Sequence, residues 1–162
     1  MNTLKVRQKK KIKAKIITGT NVFAHIDDLE SLMKAVDSLL TKNGMFVIEG
    51  PHFLNLIEAL EYDTIYHEHL LYLSVKPLNS LFNRFGFEIF DVEEVSIHGG
   101  SIRIFVCKKG EHNITNSINQ IIEKEEKANL FDISRLNKFS EQVHEHKKEL
   151  RELLLGIKKT GK

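Results

Sequence analysis

The chain has 162 residues, of which 41 % are hydrophobic and 28 % charged, and its formal net charge is +2. This composition fits a globular domain with a core and excludes a wholly disordered chain. The near-neutral charge implies no acidic or basic partner for the chain as a whole. The single cysteine, Cys107, excludes a disulfide framework and a cysteine-based zinc site within the chain.

Cys107 ends the apolar run at 102–107, so we expect a small buried side chain and a reducing compartment. No apolar run reaches the roughly 18 residues of a membrane span. The N-terminus has no apolar stretch typical of a secretory signal. The sequence therefore predicts a cytoplasmic protein without a membrane partner.

The N-terminus predicts a basic arm over residues 1–13. Its charge is carried by Lys5, Arg7, Lys9, Lys10, Lys11 and Lys13, and Lys15 follows. Such an arm can bind nucleic acid or an anionic membrane, or it can be a solvated, disordered terminus. We favour the second interpretation and expect no nucleic-acid partner, because the chain has no basic patch interleaved with aromatic residues.

Strand and helix patterns alternate after the arm. Residues 14–18 predict a strand and 21–26 a loop, and Asp27 or Asp28 then caps a helix to about Leu40. Asn43-Gly44 is expected to end that helix. The apolar run 45–48 predicts a strand buried on both faces, which Gly50-Pro51 breaks before a short helix at 53–60.

The second half begins with a helix opened by Lys76-Pro77 and stopped by Gly86. Residues 87–95 and 102–108 predict two strands joined by a short turn, and helices follow from Asn113 to about Lys158. Strands that alternate with helices favour a parallel α/β sheet, here with an antiparallel hairpin at its end and C-terminal helices. We predict a domain at 14–110 and a helical C-terminal segment at 111–162.

Four motifs in this order resemble one family, the sugar-nucleotide C-methyltransferases that use S-adenosylmethionine. They are the segments at 21–29, 46–51, 63–70 and 97–103, and the resemblance covers roughly residues 14–162. The resemblance implies the second half of a Rossmann-like methyltransferase sheet. It also implies methyl transfer to a carbon beside the ketone of a deoxysugar nucleotide, with S-adenosylmethionine as cofactor.

The chain departs from the family pattern in front of residue 14. The cysteine-rich zinc module and the glycine-rich cofactor loop would precede that point, and the lysine arm stands there instead. The resemblance therefore implies an interior fragment with half of the cofactor site. The alternative hypothesis is a catalytically inactive remnant or split-gene subunit that associates with a separately encoded N-terminal half or with itself. Whether the isolated chain is an active enzyme stays open.

The cluster Tyr66-His67-Glu68-His69 gathers a phenol, two imidazoles and a carboxylate. Imidazole titrates near neutral pH and suits proton transfer. By resemblance His69 is the general base, and Tyr66 and Glu68 orient the sugar or the imidazole. A metal site on His67 and His69, sharing one face of a strand, is the weaker alternative because no third ligand lies nearby; we predict no metal.

The resemblance further assigns Asn21, Phe23, Ala24 and His25 to the cofactor, at the carboxyl end of a strand where open α/β sheets bind ligands. A loop of ordinary polarity is the alternative. For substrate binding we single out His98, Ser101 and Arg103. The glycine pair between His98 and Ser101 equally suits a plain hairpin turn. Arg103 equally suits a solvent-facing position, with pairing to a sugar diphosphate as the functional alternative.

Overall fold

A computed structural model describes residues 12–161 of the chain. The predicted arm lies outside the described residues, apart from its last two. Of these, Lys13 donates from Nζ to the carbonyl oxygen of Ser38 at 2.7 Å. Among residues 12–161 no helix is both long and apolar enough to cross a membrane.

The fold is α/β, as predicted, with a mixed four-stranded sheet and C-terminal helices. The strands are β1 (Ala14–Thr20), β2 (Leu40–Pro51), β3 (Phe87–Val95) and β4 (Ser101–Lys108). Their order across the sheet is β1-β2-β4-β3. β1 and β2 are parallel, while β4 is antiparallel to both β2 and β3. The predicted hairpin is therefore present, with its second strand inserted beside β2.

Within residues 12–161, five α-helices connect or follow the strands: α1 (Leu29–Leu39), α2 (Phe53–Glu58), α3 (Val75–Arg84), α4 (Ser117–Lys127) and α5 (Ile133–Lys159). Short 3-10 helices lie at Phe23–His25 and Tyr62–Thr64. Asp28 caps α1, as its position before the apolar stripe predicts, and its carboxylate accepts a hydrogen bond from the Ser31 amide at 2.9 Å.

The main core lies between the sheet and helices α1, α3 and α4. Its largest buried side chains include Phe23, Met33, Ile48, Phe82 and Ile104. A second cluster joins α2 to the start of α5 through Leu54, Leu56, Ile57 and Leu130. These clusters fix the loops that follow β1 and β2, which carry the polar residues described below.

The end of α1 agrees with the predicted end at about Leu40, but the prediction that Asn43-Gly44 ends the helix is wrong. The helix ends at Leu39, and Asn43 and Gly44 lie inside β2 instead of behind a helix. Ala14 pairs with Leu40 but Ile16 pairs with Met45, so residues 41–44 bulge from the ladder, and Asn43 takes a φ of 57° there. A bulge uses the same turn residues as a helix C-terminus, which explains the error. Gly50-Pro51 also does not break β2, which runs through Pro51.

Candidate functional site

The segment at residues 66–73, here called the His69 segment, is a turn followed by backbone without regular secondary structure up to an isolated bridge at Leu73, and not a strand. The amide of His69 donates to the carbonyl oxygen of Tyr66 at 3.0 Å, which closes the turn. The alternation of faces behind a metal pair at His67 and His69 therefore does not apply. Among residues 12–161 no group of three or more His, Cys, Asp or Glu side chains could hold a metal ion.

The ring of His69 is held through both nitrogens. Its Nδ1 lies 2.8 Å from the carbonyl oxygen of Thr64, which can only accept, so Nδ1 carries the hydrogen. Nε2 then has the free lone pair, and the hydroxyl of Tyr66 donates to it at 3.2 Å. The Tyr66 and His69 rings lie 4.3 Å apart between centroids. The arrangement leaves a proton-accepting nitrogen beside a phenol.

The loop after β1 forms hydrogen bonds with the His69 segment on both sides of His69. The Nδ1–H of His25 donates to the carbonyl oxygen of Glu68 at 2.8 Å. The carbonyl oxygen of Ala24 accepts the amides of Leu70 at 2.8 Å and Leu71 at 3.2 Å. The His25 and His69 rings lie 4.9 Å apart. His25 and Ala24 thus fix the backbone that carries the imidazole.

Glu68 contributes its backbone rather than its carboxylate to this arrangement. Its carbonyl oxygen binds His25, while the residue as a whole is exposed. His67 is also exposed, with its ring 6.5 Å from that of Tyr66. Tyr72, whose ring lies 6.5 Å from His69, has a pKa raised by burial and, to a lesser degree, by Tyr66.

A cavity of about 470 Å³ opens at the carboxyl ends of β1 and β2. The parallel pairing of these strands brings both ends to one edge, where open α/β sheets bind ligands. The cavity is lined by Asn21, Ala24, His25, Glu49, Gly50, Pro51, Glu61, Asp63, Thr64, Tyr66, His69, Leu73 and His98. Predicted catalytic, cofactor and substrate residues therefore share one cavity.

The floor of the cavity carries a cross-strand ion pair. Glu49, only 8 % exposed at the end of β2, lies opposite Arg103 on β4, and its Oε2 accepts the Arg103 Nε–H at 2.7 Å. Arg103 also pairs with Glu93 at 2.9 Å. The hydrogen bond from Arg103 to Glu49 and the attraction between their charges raise the pKa of the guanidinium. Arg103 is thus engaged by two carboxylates and does not line the cavity.

Residues 97–100, here called the glycine turn, border the cavity through His98. His98, Gly99 and Gly100 all have positive φ, at 50°, 72° and 114°. A Cβ at Gly99 would overlap the carboxylate of Glu61, and one at Gly100 would overlap the amide of Asn55. Only glycine permits this approach. His98 lines the cavity, whereas Ser101 is fully buried and donates from Oγ to the Ile97 carbonyl at 3.0 Å.

Sequence profiles of two families match this chain. A methyltransferase domain matches residues 3–92, more than half of the chain, and a C-methyltransferase C-terminal domain matches residues 96–162.

The chain belongs to the methyltransferase family.

One similar curated protein is C-methyltransferase NovU from Streptomyces niveus, 29 % identical over 150 residues. The match covers 92 % of this chain but 36 % of NovU, so the chain spans about a third of that relative's length. One similar solved structure is the crystal structure of M1.HpyAVI, with 16 % identity and a TM-score of 0.40. It covers 66 % of this chain and 50 % of that one.

The predicted cofactor residues of this chain have different surroundings. Asn21, Ala24 and His25 line the cavity, but Phe23 is 2 % exposed and its ring packs 6.2 Å from that of Phe82 in the core. Asn21 has a φ of 52°, and its amide donates to the carbonyl oxygen of Glu49 at 2.8 Å. This bond ties the loop after β1 to the end of β2.

Four polar residues that line the cavity, Glu49, Glu61, Asp63 and Thr64, were not singled out as site residues from the sequence. Glu49 carries a usable signal, because a carboxylate directly after a buried apolar strand marks the edge where such sheets bind ligands. Glu61 carries none, since its contact with Gly99 joins residues far apart in the chain. Thr64 contributes a carbonyl oxygen to His69, and a backbone role of this kind has no side-chain pattern.

Proposed function

We propose that this chain carries the catalytic part of an S-adenosylmethionine-dependent C-methyltransferase acting on a keto-deoxysugar nucleotide. The observation that carries the proposal is the Tyr66–His69 pair facing a cavity at the carboxyl ends of β1 and β2. We also propose the division of the chain into a basic arm at 1–13, a partial methyltransferase domain at 14–110 and a helical C-terminal segment at 111–162.

The reaction requires removal of a proton from the carbon alpha to a ketone. Tyr66 and His69 share one hydrogen between the phenol oxygen and Nε2. The phenol oxygen takes the substrate proton as its own hydrogen passes to Nε2, which leaves a neutral tyrosine and an imidazolium. The imidazolium keeps its Nδ1–H bond to the Thr64 carbonyl. A positioned base of this kind typically contributes about 10²–10⁴-fold in rate.

The residues present fit the cofactor that this chemistry needs. S-adenosylmethionine carries a sulfonium cation, and the cavity offers the carboxylates of Glu49, Glu61 and Asp63 and the ring of Tyr66. Asn21, Ala24 and Glu49 would hold it at the strand ends. When bound it supplies an electrophilic methyl group, which the carbanionic carbon of the substrate would accept.

The polar lining also suits a sugar. Carboxylates and imidazoles recognise hydroxyl groups by hydrogen bonding, and His98 places a further ring at the cavity wall. Arg103 contributes to sugar binding only indirectly, because its ion pair holds the Glu49 carboxylate in place. The name of the relative NovU, a C-methyltransferase, agrees with the reaction type.

Methyl transfer tests the proposal. Labelled S-adenosylmethionine is incubated with the chain and a panel of 4-keto-deoxysugar nucleotides, and incorporation of label into the sugar is measured. We expect transfer that His69→Ala reduces by at least about 10²-fold. His67→Ala, two positions away and exposed, is the matched control and should retain activity. Transfer that survives His69→Ala would remove the base assignment.

A second candidate is a subunit that associates with a separately encoded cofactor-binding half or with itself. The edge of the sheet favours it: among residues 12–161 β1 pairs only with β2, and Ile12 and Ile16 are 44 % and 58 % exposed. An open apolar edge strand is a site for a further strand. Calorimetry with S-adenosylmethionine discriminates, because micromolar binding by the isolated chain would contradict this candidate.

A further inference from the structure

His52, at the N-cap of α2, and Glu125, on α4, form a buried pair. Both side chains are 0 % exposed, and His52 Nε2 lies 3.0 Å from Glu125 Oε1. The carboxylate is the acceptor, so Nε2 carries the hydrogen. Neither side chain lines the cavity, and the proposed proton transfer uses neither. Buried ionisable groups are costly unless they are paired and hydrogen-bonded, which calls for a physical reason for this pair.

Glu125 also caps a helix to which it does not belong. From α4 its Oε1 accepts the Val75 amide of α3 at 2.6 Å, and its Oε2 accepts the Lys76 amide at 3.2 Å. Ser74, at the N-cap position of α3, makes no side-chain capping bond. The first amides of a helix need an acceptor from elsewhere. Glu125 supplies that acceptor across the domain.

The backbone next to this pair is close in sequence or hydrogen-bonded to segments that border the cavity. Leu73, which lines the cavity, ends the His69 segment just before the capped turn of α3. The amide of Phe53, next to His52, donates to the Leu73 carbonyl oxygen at 2.8 Å. The amide of His52 itself donates to the carbonyl oxygen of Gly100 at 3.0 Å. The backbone of residues 52–53 therefore joins the downstream end of the His69 segment to the glycine turn, and the His52 side chain connects that backbone to Glu125.

Stability alone is a weak reason for the pair. Its Nδ1, on His52, is buried and has no hydrogen-bond partner among the described residues. An unsatisfied buried group costs free energy, and apolar side chains of similar volume often replace such pairs without loss. What apolar side chains cannot do is accept the two amides of α3 and fix their direction.

We infer that His52 and Glu125 are positioning residues for the reaction of the same cavity, an inference that rests on the proposed function. Ala24 and His25 hold the His69 segment near its middle, and His52 and Glu125 hold its far end. With the middle and the far end of the segment fixed, the ring of His69 keeps Nδ1 on the Thr64 carbonyl and Nε2 on Tyr66.

The test compares three variants of the full chain. His52→Leu removes the bond to Glu125, whereas His52→Gln restores a donor at nearly the position of Nε2. Glu126→Gln is the matched control, because Glu126 is the next residue of α4, exposed, and pairs with Lys76 at 2.6 Å. The readouts are kcat and KM for methyl transfer and the ¹⁵N resonances of the His69 ring.

We expect His52→Leu to lower kcat about tenfold with KM changed less than about twofold, as loss of transition-state positioning requires. His52→Gln and Glu126→Gln should remain near wild type. The ¹⁵N resonances of His69 should lose the pattern of a single Nδ1–H tautomer in His52→Leu only. Unchanged His69 resonances in folded His52→Leu would overturn the inference.

The NMR readout does not depend on turnover. If no variant transfers methyl groups, the proposed function fails while the ring resonances still decide the positioning inference. If His52→Leu does not fold, Glu125→Gln takes its place, since it keeps the size of the side chain and changes only the acceptor set. A wild-type His69 spectrum in that variant would equally overturn the inference.

Discussion

The hydroxyl of Tyr66 donates to Nε2 of His69 at 3.2 Å, and the opposite nitrogen of the same ring is fixed on a backbone carbonyl. The two side chains are three residues apart, on a turn that the loop after β1 holds in place. A phenol and an imidazole linked in this way form a proton-accepting pair whose tautomer the backbone decides.

Tyr66→Phe removes the hydroxyl that donates to the His69 imidazole and that we propose takes the substrate proton. We expect kcat for methyl transfer to fall by about 10²-fold, within the range for loss of a general acid–base group. Tyr72→Phe is the matched control, because Tyr72 lies near His69 but does not line the cavity. Equal activity of both variants would show that the Tyr66 hydroxyl takes no part in proton transfer.

His25→Ala removes the donor that holds the Glu68 carbonyl oxygen. We expect the free energy of unfolding to fall by about 1 kcal/mol, the typical contribution of one hydrogen bond. We also expect kcat to fall by a larger factor than about 1 kcal/mol would give, because the backbone that carries His69 is less firmly positioned. Thermal denaturation and methyl-transfer kinetics measure the two effects. A variant with full kcat would contradict the clamping role of the loop.

Gly99→Ala should be more damaging than Gly110→Ala. Both glycines have positive φ, 72° and 81°, but only at Gly99 would a Cβ meet another side chain, the carboxylate of Glu61. Backbone strain costs about 1–3 kcal/mol at either position, and the collision adds to it at Gly99. Denaturant unfolding of both variants measures the difference, and equal destabilisation would exclude a close Glu61 contact.

Asp91 predicts an acid-sensitive contribution to stability. Burial alone would raise the pKa of its carboxyl, but hydrogen bonds from Thr115, Ser117 and the Val92 amide together lower that pKa below 3.8. A folded-state pKa below the unfolded one means stability that is complete above pH 3.8 and lost as pH falls through the folded value.

Asp91→Asn should therefore destabilise the protein by about 1 kcal/mol at neutral pH, as expected for weakened hydrogen bonds to a charged group. The difference from wild type should shrink as the pH drops below 3.8. Urea unfolding at pH 7 and near pH 3 measures both values. A difference in stability that grows as the pH falls would contradict a lowered pKa for Asp91 in the folded protein.

The sequence predicted correctly those elements that depend on neighbouring residues, such as strands with an apolar pattern and helix caps. The strand at Phe87–Val95 has the predicted bounds. Asp28, one of the two predicted caps, caps α1 because its carboxylate accepts a free amide of the first turn. Asn43-Gly44 misled the prediction because a bulge and a helix end use the same residues. The bulge is decided by pairing with β1, which lies outside any local window.

The candidate site divides in the same way. His69 and Tyr66 lie three residues apart in the sequence and are identifiable by their chemistry. The partners that orient them are backbone carbonyl oxygens of Thr64, Glu68 and Ala24, and any residue could provide those. The pair of His52 and Glu125 joins positions 73 residues apart, so no spacing rule predicts it.

Solvent exchange of the substrate proton tests the central claim most directly. The chain is incubated with a 4-keto-deoxysugar nucleotide in D₂O, and deuterium at the carbon alpha to the ketone is followed by ¹H NMR. The account predicts exchange catalysed by the wild type and by His67→Ala, and loss of that catalysis in His69→Ala. Exchange by His69→Ala at the wild-type rate would contradict the assignment of His69 as the proton acceptor.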